Sequence, residues 1–386
     1  MKLPVYLDNH STTRPDKRVI EAMLPYFNEH YGNPSSQGHP FGWAASSAVE
    51  SAREIVASFI GAKPEEIIFT SGTTESNNLA LKGVALAVGK RNHIITTQVE
   101  HPSILNAARF LEKMGYSVTY LPVDRFGMID LERLENVISD STLMVSVMTA
   151  NNEIGTIYPV EEIAVICSKK GVLFHTDAAQ AIGRMEFDLN RIQADLVSFS
   201  AHKNYGPKGI GALFIRRKSP RLKLTPLFHG GGQEKELRSG TLNTPAIAGF
   251  AKCLEISRLE MESENKRIKA LRDRLQEGIF RELDGIYLNG HPEKRLINNL
   301  NISIKNVNID RLLGELRDIA VSTGSACASG SPEGSHVLRA IGLENDLLRA
   351  SIRFGLGRLN TEEEIDYTIS RVAGAVKILR DKGIRD

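Results

Sequence analysis

Short runs rich in β-branched residues alternate with amphipathic stretches through the first half of this chain, and that alternation restricts its fold more than any other feature. The strand-like runs lie at 66–70, 93–98, 117–121, 142–149, 172–176 and 196–200, and helical spacing fills 75–87, 103–114 and 160–170. Strands that alternate with helices form βαβ units, so the expectation is an α/β fold on a mostly parallel sheet. From 246 to 283 there is no proline and only two glycines, and the apolar residues Ile268, Leu271, Leu275 and Ile279 recur at helical spacing. Beyond this long helix come strand-like runs at 298–304 and 351–354 and a last helix from Thr361. The expected division is a large α/β domain over 16–260 and a smaller α+β domain formed by 1–15 with 261–386. A length of 386 residues suits two domains, at roughly 150 residues each with extensions.

Composition narrows the function classes. Lys and Arg number 48 against 46 Asp and Glu. The chain as a whole therefore lacks the basic footprint of a nucleic-acid binder, and no direct nucleic-acid partner is expected. No run of 18 apolar residues offers a membrane span, and the first ten residues turn polar too early for a secretory signal. Three cysteines spread over 160 residues make neither a disulfide framework nor a metal pattern. The expected setting is a reducing, cytoplasmic one.

In an open parallel sheet, ligands bind beyond the carboxyl ends of the strands, and here polar residues collect there. Thr70 leads into Ser71-Gly-Thr-Thr-Glu75, 93–98 into Glu100-His101, Thr149 into Asn151-Asn-Glu153, Thr176 into Asp177 with Gln180 following, and Ser200 into His202-Lys203. Each has an ordinary reading beside a chemical one. Thr73 and Thr74 either cap a helix or cradle a phosphate on its free N–H groups, without the spacing of an ATP-binding loop. Asp177 either caps the segment after it or holds a protonated ring nitrogen. Lys203, between a buried strand and a glycine-rich turn, is either a solvated turn lysine or a Schiff-base nucleophile. Arg353, which alternates in facing with Ile352 and Phe354, either forms a structural ion pair or grips a carboxylate bidentately. Cys327 lies in Thr323–Ser335, a stretch without one large apolar side chain, where an accessible and reactive thiol is expected. Cys167 and Cys253 fall in helical stretches and read as buried and inert.

Ten ordered motifs then resemble the cysteine desulfurases of the NifS/IscS group, within the class V aminotransferase family. They are Tyr6-Leu-Asp-Asn9, Gly32-Asn-Pro-Ser-Ser36, Thr70-Ser-Gly-Thr-Thr-Glu-Ser76, Glu100-His101, Asn151-Asn-Glu-Ile-Gly155, His175-Thr-Asp-Ala-Ala-Gln180, Ser200-Ala-His-Lys203 with Tyr205-Gly-Pro-Lys-Gly209, Arg238-Ser-Gly-Thr241, Gly324-Ser-Ala-Cys327 and Ser351-Ile-Arg-Phe354. The resemblance implies the fold type I of pyridoxal-phosphate-dependent transferases, with a mostly parallel seven-stranded sheet. It implies that Lys203 binds pyridoxal 5'-phosphate covalently, Asp177 pairs with its ring nitrogen, Gln180 bonds its phenolic oxygen and His101 stacks on the ring and shuttles protons. Thr73, Thr74, Ser200 and His202 would hold the phosphate, with Thr241 arriving from the second subunit of a homodimer. Asn152 and Arg353 would hold cofactor and substrate, Arg353 taking the substrate carboxylate. Cys327 would receive the sulfur of L-cysteine, leave L-alanine, and pass the sulfur to an acceptor such as an iron–sulfur scaffold protein or toward tRNA thiolation. Selenocysteine lyase, or another enzyme of this fold such as an aminotransferase, is the alternative. One departure stands at the N-terminus: Asn9-His10-Ser11 occupies positions where smaller residues are usual. The chain also ends at Asp386, short of the tail by which some relatives dock a scaffold.

Overall fold

The computed structural model describes residues 1–87, 89, 91–219, 221–323, 334–381 and 383. Twelve strands are found among them: β1 Val5–Tyr6, β2 Ile67–Thr70, β3 His93–Thr97, β4 Ser117–Leu121, β5 Thr142–Ser146, β6 Leu173–Asp177, β7 Leu196–Ser200, β8 Gly211–Ile215, β9 Ile286–Leu288, β10 Asn299–Ile304, β11 Ile319–Ala320 and β12 Ser351–Gly355. Seven form the central sheet in the order β2-β8-β7-β6-β5-β3-β4. β8 is antiparallel to both its neighbours, and the pairs on the other side of β7 are all parallel. Every residue of β2, β3, β5 and β7 is buried, as expected of strands covered on both faces.

One apolar cluster on this sheet joins Val145, Phe174, Val197 and Phe214 to Val56, Phe250 and Leu254 of the covering helices. A second joins Ile94, Met144, Leu196 and Leu213 to Leu79, Ile104 and Leu111. The six strand-like runs of the first half appear within two residues at most ends, except that 142–149 stops at Ser146. In the central sheet the run analysis passes over β8, and outside it the short β1, β9 and β11.

The long helix runs Thr244–Glu282 over 39 residues, with the Asn243 side chain accepting from the Ala246 amide at its start. Its first half packs on the central sheet. Its second half carries Ile268, Leu271, Leu275 and Ile279 into a third cluster, with Leu300, Ile302, Ile352, Phe354, Val372 and Val376. Burial of each such side chain contributes about 1.5–3 kcal/mol. The third cluster also takes Val5 and Leu7. β1 pairs with β11 and Asp8 bridges Gly355, so the first residues of the chain are sewn to its last third. Among the described residues no helix is long and apolar enough to cross a membrane.

Candidate active site

The carboxyl ends of β2, β3, β5, β6 and β7 open on one edge of the sheet, and the start of β8 joins them there. Thr70 and Ser200 both register with Gly211. A Cβ on Gly211 would stand 2.7 Å from the Gly72 Cα, so the absence of a side chain lets the turn after β2 lie against the sheet. A helical run then starts at Thr73 and continues to Ala87, with a π turn at Leu79–Gly83. Its first amides have no acceptor within the helix. Glu75 steadies the turn: one carboxylate oxygen accepts from the Ser71 amide at 2.8 Å and the other from Arg238 Nε at 2.9 Å.

Lys203 follows β7 in a short 3-10 turn. Its Nζ donates to the carbonyls of His10 at 2.6 Å and Ser11 at 2.7 Å. The N-terminal strip grips this turn further, because the Thr13 amide and hydroxyl both donate to the His202 carbonyl, each at 2.9 Å. Gly355 lies against the strip, where a Cβ would meet the His10 backbone nitrogen at 2.9 Å.

Asp177, at the end of β6, heads a directed chain of hydrogen bonds. Its Oδ1 accepts from the Ala179 amide at 2.9 Å and its Oδ2 from Asn77 Nδ2 at 2.7 Å. The same nitrogen donates to Ser103 Oγ at 2.8 Å, and Ser103 Oγ lies 2.8 Å from His101 Nδ1. Nδ1 also accepts from the Ser103 amide at 3.1 Å, so it carries no hydrogen. The hydrogen of the neutral ring therefore sits on Nε2. Burial lowers the His101 pKa; the Asp177 charge raises it, while Lys203 and His336 lower it further, and the ring is neutral near pH 7. His202 is neutral too: burial first, then Lys203, Lys208 and Arg184, push its pKa down to about 4.

Arg353 on β12 is buried, and its guanidinium closes the other side of the site. Nη1 donates to the Asn152 carbonyl at 2.8 Å, and Nη2 to Asp8 Oδ1 at 2.7 Å and Ser11 Oγ at 2.8 Å. Thr74 is exposed in the first turn of its helix. Thr241 is exposed in the loop before the long helix, and no hydrogen bond among the described residues joins it to this cluster. Cys327 lies outside the described residues. Cys167 and Cys253 are buried, and burial raises both thiols, Cys167 to about 12.

The family model of class-V aminotransferases matches residues 5–368. The chain is a member of the class-V aminotransferase family. It is 51% identical over 381 residues to cysteine desulfurase IscS of Rickettsia typhi, an alignment covering 98% of this chain and 93% of that protein. A solved NifS-like protein superposes with a TM-score of 0.90 at 41% identity, covering 97% of this chain and 99% of that one. SspA in complex with cysteine superposes with a TM-score of 0.81 at 36% identity, covering 91% and 98%. This class-V member shares the fold type I expected from its motifs, and it uses pyridoxal phosphate.

The residues present fit that cofactor. Thr73 Oγ1 and Ser200 Oγ are buried hydroxyls without a hydrogen-bond partner, placed where a phosphate would accept from both. Beside them stand the first-turn amides, the Lys203 amine and the Asp177 carboxylate, the donor set and counter-charge that a phosphorylated pyridine requires. Motif reading marked Asp8, within Tyr6–Asn9, and Ser11, within the departure at 9–11, without a role, and did not single out Asn77, Ser103 or Arg184. Only Arg184 carried a local signal, at four residues from Gln180.

Proposed function

We infer that this chain is a cysteine desulfurase that converts L-cysteine to L-alanine and transfers the sulfur to its own Cys327. The observation that carries the reading is the directed chain Asp177–Asn77–Ser103–His101 close to Lys203, in a protein 51% identical to an IscS cysteine desulfurase over nearly its whole length. When bound, pyridoxal phosphate supplies the electron sink. Lys203 is its attachment point and, once displaced, the amine that removes the substrate Cα proton. Asp177 keeps the ring nitrogen protonated, and Gln180 donates to the phenolic oxygen. Neutral His101 holds its hydrogen at Nε2, where it donates a hydrogen bond. Thr73, Thr74, Ser200 and His202 hold the phosphate, and Asn152 and Arg353 hold the substrate. The Cys327 thiolate takes the sulfur and becomes a persulfide, and that role rests on its motif.

The second copy of the chain is part of the proposal. Leu24, Phe27, Tyr31, Phe41 and Trp43 are each more than half exposed, more apolar surface than a lone soluble domain usually shows in one region. The family resemblance has Thr241 of that second copy reaching the phosphate. The cytoplasmic setting, the division at about residue 260 and delivery of sulfur to an iron–sulfur scaffold protein belong to the same proposal. Incubation with L-cysteine and a thiol reductant is expected to release alanine and sulfide in equal amounts. Production of neither by cofactor-loaded protein overturns the reading.

A further inference from the structure

His10 departs from the usual small residue at its position, and the structure puts it inside a buried cluster beneath Lys203. Arg184, buried, places Nη1 2.7 Å from Gln180 Oε1 and 3.1 Å from His10 Nδ1, and Nη2 2.9 Å and 2.8 Å from the carbonyls of Asn9 and Lys203. A guanidinium has donors and no acceptor. Whichever nitrogen of the His10 ring carries its hydrogen, the atom of Gln180 that meets Arg184 is therefore the oxygen. The amide orientation follows. Gln180 Nε2 turns the other way and donates to the His10 carbonyl at 3.0 Å, the carbonyl that also accepts from Lys203 Nζ. Nε2 keeps a second hydrogen on that side. His10 Nδ1 lies 3.0 Å from the same Gln180 oxygen and packs the far side of the amide. The charged or titratable groups that face Arg184 are His10, His202, Tyr205 and Arg353, and none of its hydrogen bonds goes to a carboxylate among the described residues.

We propose that Arg184 is a positioning residue that locks the Gln180 amide with its nitrogen toward Lys203, so that Gln180 can only donate to the anionic ring oxygen of the cofactor. The inference rests on the cofactor reading above. Without Arg184 only the His10 carbonyl still holds that orientation, so the amide turns over in a larger share of molecules, presents its own oxygen to that anion and loses the hydrogen bond there.

The test is the pH midpoint of the visible absorbance band of cofactor-loaded protein, titrated without substrate, whose basic form carries the full charge on that oxygen. Arg184→Met is expected to raise the midpoint by about one pH unit, the effect of one lost hydrogen bond to the charged form. Arg184→Lys, which keeps a donor, should raise it by less than half as much. Gln180→Leu should match Arg184→Met, and the double variant should exceed the larger single shift by no more than about 0.3 unit, since one residue acts through the other. An Arg184→Met protein that titrates with the parent overturns the proposal, and so does an additive double variant. Should Arg184→Met not fold, a Gln180→Leu midpoint equal to the parent's overturns it as well, because the amide then gives that oxygen no hydrogen bond. A parent protein that binds pyridoxal phosphate without any visible band overturns the cofactor reading itself, and the proposal with it.

Discussion

The sheet edge and the β12 side of the site are built on different terms. At the sheet edge, Asp177, Asn77, Ser103 and His101 are joined in one chain of hydrogen bonds, and two buried hydroxyls and the Asn77 amide oxygen wait without partners. On the β12 side, Arg353 is already engaged by Asp8, Ser11 and the Asn152 carbonyl. A cofactor phosphate entering the first region adds hydrogen bonds. A carboxylate arriving at the second competes with Asp8 for the guanidinium. The first region is preorganised and the second must exchange partners, so damage to the two should separate into turnover and affinity.

The largest effect tests the first half of that contrast. Lys203→Ala should lower kcat by at least about 10²–10⁴-fold, the worth of a positioned proton-transfer group, before the lost covalent attachment is counted. Alanine release from L-cysteine at near-parental rate would remove Lys203 from its role. Arg353→Lys tests the other half. Lysine keeps the charge and loses the fork, so KM for L-cysteine should rise about 10- to 100-fold, with kcat changed far less. A loss confined to kcat would erase the distinction between the two regions.

Smaller effects sharpen the contrast through stability. Burial drives His175 down to about 3, and His202 falls to about 4. Both folded-state values lie below the unfolded value near 6.5, so the unfolded chain binds more protons between them. Their contribution is present above about pH 6.5 and lost as pH falls, by about 1.4 kcal/mol per pH unit for each ring. Urea titrations from pH 7 to 5 should show that decline, and His175→Asn should flatten it. Glu100 is the opposite case. Burial raises its pKa to about 8, although the Met148 amide and the Thr97 hydroxyl both bond Oε1. A raised carboxyl pKa favours the fold below about pH 4.5, and that contribution fades as pH rises toward 8. Glu100→Gln keeps both hydrogen bonds and removes the proton requirement. It should leave stability at pH 5 nearly unchanged and raise it at pH 8 by on the order of 1–2 kcal/mol. A variant less stable at pH 8 would show that Glu100 is ionised in the fold.

Most of the central sheet is legible in the sequence because its strands are short buried runs between helical stretches of different period. β8 is the instructive omission. Gly211–Ile215 follows a glycine-rich turn, shows no alternation, and reverses the direction of its neighbours, so neither period nor βαβ logic marks it. At the site, the residues at strand ends are legible by position. Asn77 and Ser103 are not, since a polar residue within a helix is unremarkable until the fold brings it 2.7 Å from Asp177 or 2.8 Å from His101. The N-terminal strip is marked by the motif at 6–9 and an oversized histidine, neither of which says what it grips. Its attachment to Lys203 spans 193 residues of sequence and leaves no local trace.

That attachment also sets a schedule for synthesis. The strip leaves the ribosome long before its partners, since Val5 pairs with Ile319 and Asp8 with Gly355. At about 5–20 residues per second, translation needs roughly 20–70 s to supply the second of these partners. For that interval Val5 and Leu7, buried in the finished protein, have no place to go. The turn carrying Lys203 is also made well before the whole clamp that grips it is in place. The candidate site is thus among the last parts of the molecule to be completed, and a chain released early keeps every strand of the central sheet around an amine whose clamp has lost its own anchors on Ile319 and Gly355.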